Sequence, residues 1–62
     1  MNELAHIKDP IRVSEAMRIT GYSAEYVRRL ARQGHIVAVK WENDWILSRD
    51  SIIKWQRDNR RP

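Results

Sequence analysis

Gly21-Tyr22-Ser23 is the stretch that most restricts how this chain can fold. It separates two short segments whose apolar residues recur at helical spacing. Before it, Ala16, Met17 and Ile19 fall on one side, and Glu15 and Arg18 on the other. After it, over Ala24 to Gln33, Val27, Leu30 and Ala31 share a side, with Tyr26 at the margin. Gly21 can take the positive φ that ends a helix. Ser23 can cap the next helix, with Glu25 in the first turn to complement its dipole. Tyr22 and Val27 have the spacing of a hydrophobic staple across that start. Two amphipathic helices joined by three residues with Gly first are the local pattern of a helix-turn-helix.

The outer face of the second helix carries Glu25, Arg28, Arg29 and Arg32 within roughly a third of a turn. A helix that buries one face and aims three guanidinium groups outward is suited to the major groove of DNA. The plainer alternative is a solvated surface helix. The net charge of +4, from 12 Lys+Arg against 8 Asp+Glu, favours a polyanionic partner, nucleic acid before an anionic membrane.

The flanking sequence completes a small domain. Met1 to Pro10 reads as a flexible arm with a short ordered piece around Leu4 to Ile7, and Ile11 to Val13 as an extended lead-in. Ser14 is the expected cap of the first helix, which runs from Glu15 to Thr20. Gly34 stops the second helix. From Ile36 the period changes to two: Val37, Val39 and Trp41 alternate with Ala38, Lys40 and Glu42. Glu42-Asn43-Asp44 has turn chemistry, and Trp45 to Leu47 follows as a second strand. A three-residue loop there would pair Trp41 with Trp45 and Val39 with Leu47 on the inner face, leaving Ile46 outside. Ser48 or Asp50 caps a last helix to about Asn59, with Ile52, Ile53, Trp55 and Gln56 inside and Arg60 to Pro62 as a basic tail. The expected fold is α+β, mostly α: a small winged helix-turn-helix with a two-stranded hairpin wing and a C-terminal helix over residues 11–59.

With 62 residues and no Cys, the core is small and no disulfide or thiolate metal site can reinforce it, so the three Trp are expected as anchors. No run approaches the ~18 apolar residues of a membrane span, and Met1 to Pro10 has no apolar signal-peptide region. His6 and His35 have neither a Cys partner nor i, i+4 spacing, so a metal site is not expected; His35 is placed in the turn after Gly34. No Ser/His/Asp arrangement, Gly-rich phosphate loop or paired carboxylates point to an enzyme.

Several segments together resemble the MerR superfamily, and most of all its short excisionase-like branch. They are V-S-E-A at Val13 to Ala16, G-Y-S at Gly21 to Ser23, and V-R-R-L at Val27 to Leu30. The G-H-I step at Gly34 to Ile36, W-I-L at Trp45 to Leu47 and R-D-S-I at Arg49 to Ile52 complete the set. The resemblance implies that Ser23 to Arg32 enters the major groove and that the hairpin reaches the neighbouring minor groove or backbone. It implies an arginine–phosphate contact for Arg28, a Tyr26 hydroxyl near the DNA backbone, and a packing role for Trp45. Ser23 is first a cap and secondarily a phosphate contact. Arg29 or Arg32 could read guanine, and Glu25 could accept from cytosine N4 or pair with Arg29. The wing tip departs from the pattern: family wings often carry Gly and Arg, and here Glu42-Asn43-Asp44 stands there. Two carboxylates near phosphates cost affinity, so wing contact is expected from Lys40 and Asn43 alone.

The implied partner is double-stranded DNA, with a recombinase or copies of the chain on adjacent sites as candidate protein partners. No cofactor or small-molecule ligand is expected, because the dimerisation helix and effector domain of MerR activators have no counterpart in these residues. The implied setting is a bacterial or phage cytoplasm. A recombination directionality factor that bends DNA and a small transcriptional regulator are the two competing roles. In a third reading, from a different class, the arginine face docks an acidic protein and Ile46 adds apolar contact.

Overall fold

The computed structural model describes residues 7–59; His6, the first part of the expected arm and the basic tail from Arg60 lie outside them. The element order is β1 (Pro10–Arg12), α1 (Val13–Thr20), α2 (Ala24–Arg32), β2 (Ala38–Trp41), β3 (Asp44–Ser48) and α3 (Arg49–Asp58). Three helices and an antiparallel sheet give the expected winged helix-turn-helix. The sheet has three strands, in the order β1-β3-β2, where the sequence suggested a two-stranded hairpin. Residues 10–12 are too few for periodicity to reveal a strand, yet Pro10, Ile11 and Arg12 pair with Ser48, Leu47 and Ile46. Proline fits here because β1 is an edge strand.

The fold also starts earlier than residue 11. Ile7 is buried, and the carbonyl of Asp9, a residue at φ 51°, accepts from the Arg49 amide at 3.1 Å. Residues 7–10 therefore belong to the domain and not to a flexible arm. Nor is Ser14 the cap of α1. The strand runs straight into the helix, Arg12 occupies the N-cap position without a side-chain cap bond, and Val13 is already helical and buried. Burying Val13 sets the helix start one turn position ahead of the capping signal. At the other end the expectation holds: Gly21 adopts φ 79° and its amide donates to the Met17 carbonyl at 2.8 Å.

Val13, Ala16, Val27, Leu30, Ala31, Ile36, Leu47 and Ile52 form one core cluster shared by all three helices and the sheet. Leu47 on the central strand is fully buried. The hairpin register differs from the three-residue loop read from the sequence, although Leu47 faces inward in both. Ala38 lies opposite Leu47, Val39 opposite Ile46, Lys40 opposite Trp45 and Trp41 opposite Asp44. The loop is thus two residues, Glu42-Asn43. Opposed residues share a face, so Ile11, Leu47 and Ala38 look inward while Arg12, Ile46 and Val39 look outward. The small Ala38 leaves room beside Leu47, and Ile36, just before the strand, supplies the buried bulk. Val37 and Trp41, expected inside, are 54% and 42% exposed. A one-residue slip inverted the whole strand.

Of the two caps the sequence offers for α3, Ser48 and Asp50, Ser48 is the one that forms: its Oγ accepts from the Ser51 amide at 3.3 Å, and Asp50 lies in the first turn. Ile52 is buried, Ile53, Trp55 and Gln56 are half-buried, and Gln56 Nε2 donates to the Thr20 carbonyl at 2.8 Å, tying α3 to the end of α1.

Candidate nucleic-acid interface

The site is built on α2. Ser23 Oγ accepts from the Tyr26 amide at 3.1 Å, so the cap read from the sequence is the cap that forms. Val27, Leu30 and Ala31 are buried and fix the rotation of the helix about its axis. The C-terminal end is closed by Gly34 at φ 80°, with its amide donating to the Ala31 carbonyl at 3.2 Å and that of His35 to Leu30 at 3.0 Å. Those constraints leave Glu25, Arg28, Arg29 and Arg32 exposed on one side. The alternative pairing of Glu25 with Arg29 does not form among the described ion pairs, which leaves Arg29 and Arg32 free of carboxylate partners there.

Arg28 is different. Its Nε donates to Asp44 Oδ1 at 3.0 Å and its Nη2 to Oδ2 at 3.2 Å, a two-pronged ion pair between the helix and the wing. The bonds from Arg28 hold the Asp44 carboxyl below the ordinary carboxylate range, helped by the Trp45 amide, which donates to Oδ1 at 2.9 Å. Asp44 is the residue that sequence reasoning placed in the turn and did not connect to the arginine face. Sixteen residues separate the pair, so no local spacing signals it; the two-residue loop makes Asp44 the first residue of β3, opposite Trp41, where the sequence suggested a loop residue. One of the two wing-tip carboxylates is thereby neutralised. The other, Glu42, is exposed and enters no described ion pair. It also holds the positive φ of the turn, 55°.

The remaining wing candidates lie beside this pair. Asn43 is exposed at the tip. Lys40 projects its ammonium over the Trp45 ring, 5.3 Å from the centroid, which keeps the charge at the surface and close to Asp44. Trp45 packs half-buried against the core, as a wing packing residue should.

An interface on such a scaffold can be compared with known families. The family pattern described as a helix-turn-helix domain matches residues 11–60, about four-fifths of the chain. The chain belongs to this family of excisionase-like helix-turn-helix DNA-binding domains. No curated protein and no solved structure matches it significantly.

Within this helix-turn-helix domain, α2 holds the position of the second, recognition helix. Tyr26 lies half-buried at its margin and meets Tyr22 edge-to-face at 4.8 Å. That contact sits at the helix start where a staple between Tyr22 and Val27 was expected. Burial, then Tyr26, raises the pKa of the Tyr22 hydroxyl. His35 stacks against Trp55 at 4.8 Å, consistent with a packing role in the turn after Gly34. Among the described residues no His, Asp and Glu are grouped so as to hold a metal, and no helix is long and apolar enough to cross a membrane.

Proposed function

We propose that this chain binds double-stranded DNA sequence-specifically, with α2 in the major groove and the β2–β3 wing against the adjacent backbone, as an excisionase-like architectural factor without catalysis. The observation that carries the reading is the face of α2: a capped helix, rotationally fixed by three buried residues, presenting Arg28, Arg29 and Arg32 to solvent. Membership in a DNA-binding helix-turn-helix family supports it. Ser23 and Glu25 stand at the helix N-terminus, where backbone amides suit a phosphate. Tyr26 borders the face, and Lys40 and Asn43 are the wing groups that could reach the duplex.

In the architectural role, several copies occupy adjacent sites and bend the DNA for a recombinase. Selection of bound duplexes from a random pool, followed by footprinting across a salt series, tests both levels. Enrichment of one motif with tandem, cooperative, bent sites is the expected result. A single promoter-type footprint would move the role to transcriptional regulation. No duplex binding even at low salt would refute DNA recognition and favour an acidic protein partner for the same face.

A further inference from the structure

We propose that Arg28 reads a guanine and that Asp44 is the residue that positions it, with backbone phosphates left to Arg29 and Arg32. The inference rests on the major-groove reading of α2 above and assigns roles within it. The resemblance alone implied a phosphate contact for Arg28; the geometry points elsewhere.

A guanidinium has five N–H groups, four of them arranged as two forks. The side fork, Nε–H and one Nη2–H, is filled by Asp44 at 3.0 and 3.2 Å. The end fork, made by Nη1 and the other Nη2–H, takes no acceptor among the described residues, and the side chain is 46% exposed. Two parallel N–H groups on an end fork match O6 and N7 of guanine in the major groove. Asp44 is itself held from a second direction, because Oδ1 also accepts from the Trp45 amide at 2.9 Å. The carboxylate is therefore fixed to the strand, the guanidinium plane is fixed to the carboxylate, and a flexible side chain becomes an oriented one.

Charge argues the same way. Paired with Asp44, Arg28 is part of a neutral unit, so approaching a phosphate with it releases little bound cation. Hydrogen bonding to a base edge needs donors in the right place and loses less from neutrality. Arg29 and Arg32 lie on the same face without described carboxylate partners and keep their full charge for the backbone.

The test uses the duplex selected as the tightest site and a set in which each G·C pair is exchanged in turn. Wild-type protein, Arg28→Ala, Arg28→Lys and Asp44→Asn are compared by anisotropy across a salt series, with thermal melts to establish that each is folded. Arg28→Ala and Arg28→Lys should each lose discrimination at one G·C position, about 10- to 100-fold, and change the salt slope by much less than one. Arg28→Lys separates the fork from the charge, because lysine keeps only the charge. Asp44→Asn should lose most of that discrimination while binding random duplex more tightly, with a salt slope steeper by about one, since it liberates a cation. Loss of a carboxylate raises non-specific binding whatever Asp44 does, so the loss of discrimination at that one G·C position in a folded protein is the readout that assigns it the positioning role. The assignment is overturned if Arg28→Ala weakens all duplexes equally with the slope falling by about one, or if Asp44→Asn leaves the discrimination intact. If wild-type protein shows no preference among duplexes, the groove reading itself fails, and that result is distinct from either of these.

Discussion

Glu42 occupies a backbone conformation that side chains resist, and replacing it should stabilise the domain. It is the first residue of a two-residue hairpin loop, at φ 55°. A residue with a Cβ in the left-handed region is disfavoured by about 1–2 kcal/mol. Glycine removes that cost but gives the unfolded chain more freedom, a counter-effect of about 0.5–1 kcal/mol. The net gain expected for Glu42→Gly is therefore about 0–1.5 kcal/mol, centred near 0.75 kcal/mol. For a domain of this size each kcal/mol moves Tm by roughly 4–8 °C, so at the centre of that range the melt should rise by about 3–6 °C. Glu42→Ala is the informative control, because it deletes the same carboxylate and keeps the Cβ. Melts followed by circular dichroism at two salt concentrations separate backbone from charge. Glycine should stabilise at both salts and alanine should do little. If alanine raises Tm as much as glycine, or if glycine lowers it, the backbone argument is wrong.

Two further outcomes follow from the core and from the helix–wing pair. Leu47→Ala empties a fully buried position on the central strand, at a cost of about 3–5 kcal/mol, against a total stability of roughly 3–9 kcal/mol for 62 residues. Denaturant titration should find its stability lower by that amount, and a loss below about 1 kcal/mol would contradict the packing described. Asp44 has a folded pKa below its unfolded one, first because of the bonds from Arg28. The stability it contributes is thus complete above the unfolded value, ~3.9, and is lost as pH falls through the lower folded value. The Tm difference between wild type and Asp44→Asn should be constant from pH 7 to 5 and shrink below pH 4. A difference that persists unchanged to pH 2 would show that the carboxylate charge does not matter.

Helix ends and helix faces were legible in the sequence because their signals are local. Gly21, Ser23 and Gly34 do what their chemistry dictates within four residues of themselves, and Val27, Leu30 and Ala31 declare the inner face by spacing alone. The arginine face follows from the same arithmetic. The sheet was less legible because its determinants lie far apart in the chain. Leu47 faces inward with either loop length, and only the pairing across the two-residue loop sets Ala38 opposite it and leaves Val37 and Trp41 exposed, against the alternation seen locally. The β1 strand has three residues, too few for a pattern, and Ser14 satisfied the rules of a cap at a place where the strand left no room for one. Within the interface, the Arg28–Asp44 pair joins residues sixteen apart on different elements, so no local spacing announces it.

Two junctions in this domain have no connecting residues at all. Arg12 ends β1 and Val13 starts α1; Ser48 ends β3 and Arg49 starts α3. Ser48 also lies opposite Pro10, donates its amide to the Val37 carbonyl and caps the helix that follows. One residue inserted at either junction would turn the attached helix by about 100° relative to its strand and unseat every side chain beyond it. Between Glu42 and Asn43, by contrast, the chain can grow without moving anything already packed. Divergence in length should therefore accumulate at the wing tip, where reach along a duplex can change, while the frame that aims α2 stays the same length.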